Sequence, residues 1–66
     1  MAHYYVSKLS KANGDYEVHT SICILLPRSE ERLALGFHET SREAVEYATL
    51  NFRQATGCSK CCLNFL

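Results

Sequence analysis

Two cysteines near the end of the chain, Cys58 and Cys61, are separated by two residues and follow directly after Gly57. A C-x2-C turn aims both sulfur atoms at one point, so the pair can bind a single metal ion. An H-x3-C pair, His19 and Cys23, lies upstream and completes a set of three thiols and one imidazole. Tetrahedral structural zinc sites commonly use this set, and it requires two distant segments of the chain to meet.

The length of the chain bounds what such a site would contribute. With 66 residues, the chain is expected to form one domain (residues 1–66) near the lower limit for a self-sufficient core. A structural zinc ion contributes about 10–16 kcal/mol of apparent binding free energy in small finger peptides, enough to decide whether such a domain folds. Many domains of this size fold without metal. We therefore expect a zinc-stabilised domain, although size alone does not require the ion.

The cysteines and His19 also have a plainer interpretation. Cys23, Cys58 and Cys61 can be ordinary buried thiols, because free cysteine is among the most buried residue types. A lone histidine on a strand more often lies at the surface than on a metal ion. Cys62 is a fourth thiol that could replace His19 in an all-cysteine set. A thioredoxin-like role is disfavoured, because that motif precedes a helix whereas Cys58 follows a predicted one.

Charge argues against some classes of partner. Seven Lys and Arg residues balance seven Asp and Glu residues, and no run of like charge occurs. The basic footprint of a nucleic-acid-binding protein is therefore missing, so nucleic acid is a partner that charge does not favour.

The N-terminus lacks the features of a signal peptide, and the longest apolar run, residues 22–26, is too short to cross a bilayer. We expect a cytoplasmic location with reduced thiols and no membrane partner.

A hairpin is predicted in the first third of the chain. Residues 4–10 are rich in aromatic and β-branched side chains, and Asn13-Gly14 is a strong signal for a two-residue type I′ turn. Pairing outward from that turn places Leu9 opposite Val18 and Tyr5 opposite Ile22. Both pairs would lie on one apolar face of the hairpin.

A third strand and one helix follow. Residues 32–37 alternate, which predicts a short strand with Leu33, Leu35 and Phe37 facing the core, and with a bulge or close backbone approach at Gly36. Thr40 and Glu43 form a capping box, so we expect a helix from there to about residue 54, ended by Gly57.

The predicted fold class is therefore α+β, with a small antiparallel three-stranded sheet packed on one helix and followed by a C-terminal C-x2-C knuckle. The apolar residues of the tail, residues 63–66, suggest that it packs on the core or across a dimer.

No catalytic constellation is evident. A cysteine or serine nucleophile needs a base to activate it, and none of the three histidines has a recognisable pairing with either. We therefore expect that the protein is not an enzyme.

The motifs together resemble those of known proteins. The pattern is similar to a group of small uncharacterised bacterial proteins with an H-x3-C…G-C-x2-C pattern, a resemblance that extends over most of the chain. More distantly it resembles the metal-binding domain of the Ada methyl-phosphotriester repair protein, which holds zinc by C-x3-C and C-x2-C. That resemblance implies zinc ligands at His19, Cys23, Cys58 and Cys61. Ada-type domains have a cysteine at the position of His19, and they use a basic surface that this chain lacks.

These observations lead to one expected function and two alternatives. We expect a small non-enzymatic module that binds a protein partner or a second copy of itself. The first alternative is a nucleic-acid-binding zinc module that is distantly Ada-like. The second is a thiol-based redox or alkyl-acceptor protein that uses Cys58, Cys61 or Cys62.

Overall fold

A computed structural model describes residues 2–62 of the chain, and the predicted packing of the tail lies outside this range. The sheet contains β1 (Ala2–Ser7), β2 (Tyr16–Thr20), β3 (Arg32–His38) and β4 (Ala55–Gly57), and α1 (Ser41–Ala48) connects β3 to β4. A 3-10 turn, Ser29–Glu31, precedes β3. The strand order is β3-β1-β2-β4, with β1 antiparallel to β2 and β3 and with β4 parallel to β2. The α+β class is confirmed.

The prediction of a purely antiparallel three-stranded sheet is wrong, because β4 adds a fourth, parallel strand. β4 has only three residues and no hydrophobic alternation, so no pattern in the sequence marks it. It pairs with the outer edge of β2, where Tyr16 lies opposite Ala55 and Val18 lies opposite Gly57. The amide of Cys58 continues this pairing by donating to the Val18 carbonyl at 3.0 Å.

The predicted hairpin register is also wrong. Val6 lies opposite Val18 and Tyr5 lies opposite His19, so β2 is shifted relative to the predicted pairing. The turn is part of the cause: Gly14 has φ 93°, but Asn13 does not have a positive φ. The Gly14 amide donates to the Lys11 carbonyl at 2.8 Å, and a turn of this kind followed by a left-handed glycine makes a longer loop than type I′. The rest of the shift arises after β1 ends at Ser7, where the chain bends and the Ser7 hydroxyl accepts from the Leu9 amide at 3.2 Å.

The shifted register also changes where Ile22 lies. β2 ends at Thr20, so Ile22 falls in a turn after the strand instead of on its apolar face. Ile22 is 91% exposed.

β3 contains the bulge that Gly36 predicts. The pairing with β1 jumps from Tyr4 opposite Gly36 to Tyr5 opposite Ala34, and Gly36 has φ 83°. Leu35 is buried as predicted. Beyond the bulge the alternation of side chains changes face, so the prediction that Phe37 faces the core is wrong: it is 65% exposed and stacks on His3, with ring centroids 4.8 Å apart.

Leu33 also lies further from the core than predicted. It pairs with Val6 on the helix-covered face of the sheet, but on the outer strand β3 it is 40% exposed.

The helix begins as predicted and ends earlier. The Thr40 hydroxyl accepts from the Glu43 amide at 3.1 Å, while the Glu43 carboxylate accepts from the amide of Glu39. α1 ends at Ala48 and not near residue 54, because the chain turns back to form β4. Gly57 lies in β4 and does not end the helix, so that prediction is wrong.

The core lies between α1 and one face of the sheet. Tyr4 and Leu35 are its largest buried side chains, and Val6 and Val18 are completely buried. The helix contributes Ala44, Val45 and Ala48. Within residues 2–62, no helix has the length and hydropathy that a bilayer crossing requires.

Candidate metal centre

Strands β2 and β4 bring two of the predicted ligands side by side. Both strands run in the same direction, so their C-terminal ends lie at the same edge of the sheet. His19 is the penultimate residue of β2, and Cys58 follows β4 directly. The hydrogen bond from the Cys58 amide to the Val18 carbonyl therefore places Cys58 next to His19.

A turn after β2 carries Cys23 back towards this edge. The Thr20 carbonyl accepts from the Cys23 amide at 3.1 Å, and the Cys23 carbonyl accepts from the Leu26 amide at 3.1 Å. These two consecutive turns reverse the chain, so His19 and Cys23 meet through a turn and not along an extended strand. The Cys23 thiol then faces inward, whereas its neighbours Ile22 and Ile24 are 91% and 87% exposed.

The C-x2-C segment forms a compact knuckle. The Cys58 carbonyl accepts from the Cys62 amide at 2.9 Å, which closes the turn. Backbone amides also point at the sulfur atoms: Lys60 donates to Cys58 Sγ at 3.4 Å and Thr20 donates to Cys61 Sγ at 3.3 Å. Such N–H···S hydrogen bonds favour the thiolate form that binds a metal ion.

The four predicted ligands converge on one point. Their ligand atoms all lie within 4.8 Å of one another. Cys23 Sγ is 3.9 Å from Cys58 Sγ and 3.6 Å from His19 Nδ1. A tetrahedral zinc ion with ordinary bond lengths separates two sulfur ligands by about 3.8 Å and a sulfur from a nitrogen ligand by about 3.6 Å. The spacing of this group therefore fits a metal ion at its centre, and the group could hold one.

Burial keeps the histidine in its ligand form. His19 is buried, and burial lowers its pKa while the nearby Glu17 carboxylate raises it by a smaller amount. The imidazole is therefore biased towards the neutral state, which has a free nitrogen lone pair for a metal ion.

The thiols respond differently to the same surroundings. Burial, together with a hydrogen bond that the Cys23 thiol donates to Cys61 Sγ, raises the pKa of Cys23 to about 12. Burial also acts to raise the pKa of Cys61, but hydrogen bonds from the Thr20 amide and from the Cys23 thiol act against it, and that pKa is lowered. Without a cation, Cys23 therefore keeps its proton beside a more acidic Cys61. A bound divalent ion supplies the positive charge that lets neighbouring thiols ionise together.

Cys62 belongs to the core and not to the four-residue group. Its side chain is buried, its thiol donates to the Val18 carbonyl at 3.3 Å, and burial raises its pKa. Its sulfur lies 3.8 Å from Cys61 Sγ, but the converging group contains His19 instead. The interpretation of Cys62 as a replacement for His19 therefore finds no support in the geometry.

Glu17 is a residue near the centre that the sequence interpretation missed. One of its carboxylate oxygens, Oε1, is 3.8 Å from His19 Nε2, and the other, Oε2, is 3.3 Å from Lys11 Nζ. Glu17 and His19 are two residues apart on β2, a spacing that puts both side chains on one face of a strand. That two-residue spacing is the feature of the sequence that could have predicted a contact between Glu17 and His19.

An open cleft adjoins the centre. It is lined by Thr20, Ile22, Cys23, Ile24, Lys60 and Cys61, so two of the thiols lie at its base and two exposed isoleucines at its rim. Most of the lining is apolar.

No family model, curated protein or solved structure matches the chain. The resemblance to Ada-type domains and to the bacterial group therefore stays a prediction. The centre has to be interpreted from its own geometry and donor chemistry.

Proposed function

We propose that this protein is a small non-enzymatic binding module whose fold is held together by a structural zinc ion. The ligands are His19, Cys23, Cys58 and Cys61. The single observation that supports this most strongly is that the four ligand atoms lie within 4.8 Å of one another, with the two separations from Cys23 Sγ, 3.6 Å to His19 Nδ1 and 3.9 Å to Cys58 Sγ, close to those of a zinc tetrahedron.

Donor chemistry favours zinc over magnesium and calcium. Three thiolates and an imidazole are soft and borderline ligands, which suit zinc and disfavour the oxygen-seeking magnesium and calcium ions. All four tetrahedral positions are taken by protein side chains. A closed set of this kind is typical of structural zinc, because catalytic zinc keeps one position for water or substrate.

Binding to a protein partner or a second copy is proposed from the surface beside the centre. Ile22 and Ile24 flank a ligand residue and are almost fully exposed, and Leu25 is half exposed. Hydrophobic side chains clustered on one exposed loop have no role in the core and are typical of interaction sites. Because Cys23 lies between the two isoleucines, an ion at the centre would also hold this loop in one shape.

Metal analysis of the purified protein tests the first part of this proposal. We expect one equivalent of zinc per chain after purification under reducing conditions, measured by elemental analysis against amino-acid concentration. Chelation should remove the ion and the cooperative thermal transition together, and added zinc should restore both. A chain that folds cooperatively with no zinc, before and after dialysis against the metal, would contradict the proposal.

Sedimentation velocity over a range of protein concentrations tests self-association, which is one form of the proposed binding. If the second copy is the partner, the sedimentation coefficient rises with concentration in the zinc-loaded protein. An unchanged monomer leaves a different protein as the partner, and cross-linking from the exposed loop then identifies it.

A second candidate is binding of single-stranded nucleic acid, and one observation favours it. The sheet face opposite the helix carries His3, Tyr5 and Phe37, with ring centroids 4.5 Å and 4.8 Å from His3, and the Arg32 guanidinium lies 4.6 Å above Tyr5. Exposed aromatic rings and an arginine can stack on bases. Fluorescence anisotropy with a labelled oligo-dT tests this: salt-sensitive binding that Phe37→Ala weakens would support the candidate.

A further inference from the structure

We infer that Glu17 is a positioning residue of the metal centre, which orients the His19 ring so that Nδ1 faces the ion and Nε2 carries the proton. This inference rests on the proposed zinc site and adds a residue outside the four ligands. It also assigns the ring nitrogen that binds.

The two nitrogens of the His19 ring face different groups. Nδ1 is 3.6 Å from Cys23 Sγ, which is the separation expected when both atoms bind one tetrahedral ion. Nε2 points the other way and is 3.8 Å from Glu17 Oε1. A neutral imidazole has one N–H, so metal binding at Nδ1 leaves the proton on Nε2, facing the carboxylate. A small approach of the two side chains would make this contact a hydrogen bond.

Glu17 is itself held in place. Lys11 Nζ lies 3.3 Å from Glu17 Oε2, which leaves Oε1 directed at the ring. The His19 side chain is only 3% exposed and that of Glu17 is 21% exposed, so the ring is shielded from water and the carboxylate partly so. Carboxylates that accept from the second nitrogen of a ligating histidine fix its tautomer and raise its basicity, and their removal weakens metal binding by about 10–100-fold.

A plainer interpretation makes a different prediction. If Glu17 only forms a surface ion pair with Lys11, its charge has a small effect on stability and none on the metal. Neutralising the carboxylate therefore separates the two interpretations.

Competition with a chromophoric zinc chelator measures the effect directly. We expect Glu17→Gln to lower zinc affinity by about 10–100-fold, whereas Glu46→Gln, which removes the same charge from an exposed position on α1, should leave it unchanged. Equal affinities for Glu17→Gln and the unsubstituted protein would overturn the inference and leave the zinc site standing. If the unsubstituted protein binds no zinc, the proposed site and this inference fail together.

The ring nitrogens give a readout that a merely structural role of Glu17 would not move. In the zinc-loaded protein, long-range proton–nitrogen correlation spectra should show His19 Nε2 protonated and Nδ1 bound to the ion. This measurement needs no substitution, so it decides the assignment even if the Glu17 variant folds poorly. A proton on Nδ1 would overturn it.

Discussion

The middle of β2 and its C-terminal end are stabilised by different means. Near its middle, Val18 packs against Val6 and the alanines of α1 in a core of hydrocarbon. One residue later, His19 and the thiols that follow β2 and β4 form a cluster of polar and polarisable atoms. The first region is stabilised by removing apolar surface from water. The second gains little from burial, because burial penalises the charged thiolates that make it a ligand set.

The core and the metal centre therefore depend on different conditions: the core on the removal of apolar surface from water, and the metal centre on the binding of an ion. The length of the chain limits the size of the core, so the free energy that the core supplies is modest. The metal centre joins two segments that are far apart in sequence: the end of β2 with the turn after it, and the end of β4 with the C-terminal knuckle. Such an ion needs both segments in their folded positions, so its binding free energy stabilises the folded chain.

The largest effect is expected from loss of a ligand. Cys58→Ser should lower the free energy of unfolding by on the order of 5 kcal/mol or more, which is comparable with the whole stability of a small domain. The reason is that Cys58 is fully buried and that the serine hydroxyl, which replaces the thiol, binds zinc poorly. Thermal unfolding followed by circular dichroism should show no cooperative transition.

Cys62→Ser is the matched control for this prediction. Cys62 is buried, like Cys58, and its substitution also replaces sulfur by oxygen. It lies in the core, however, and outside the four-residue group. Its serine hydroxyl can still donate to the Val18 carbonyl, so we expect a loss of about 1–2 kcal/mol with zinc retained. Similar melting temperatures for the two variants would show that the cysteines act only as buried thiols.

A smaller effect is expected from the hydrocarbon core. Val6 is completely buried between the sheet and α1, so Val6→Ala removes two methyl groups and leaves a space that the helix only partly fills. The expected loss is about 2 kcal/mol. Chemical denaturation of the zinc-loaded variant should show a lower midpoint with one equivalent of zinc still bound. Loss of the metal together with this modest core change would mean that the two regions are not separable.

Local sequence signals predicted the parts of the fold that depend on few residues. Thr40 caps the helix as its side-chain chemistry predicts, and Gly36 marks a bulge because its φ of 83° suits glycine. The spacing of Cys58 and Cys61 similarly encodes a turn that is complete within a few residues. Each of these features needs no information from a distant segment.

The errors share one cause, which is that they depend on pairing between distant segments. The hairpin register changed because the connection from Ser7 to Tyr16 is longer than a type I′ turn, and this moved Ile22 off the strand. β4 was missed because three residues without alternation become a strand only when β2 offers them an edge. That edge is also what brings His19 beside Cys58, so the ligand types could be predicted from sequence but the route by which they meet could not.

The smallest effect on stability is expected at the exposed loop, and it separates folding from binding. Ile24 is 87% exposed, so Ile24→Ser removes almost no buried surface and should change the free energy of unfolding by less than about 0.5 kcal/mol. Thermal unfolding checks this, with zinc content measured on the same sample. Leu35→Ser is the matched control, since the same kind of change at a buried position on β3 should cost several times as much. A large loss at Ile24 would mean that this side chain supports the fold, and the loop would then no longer serve as evidence for a binding surface.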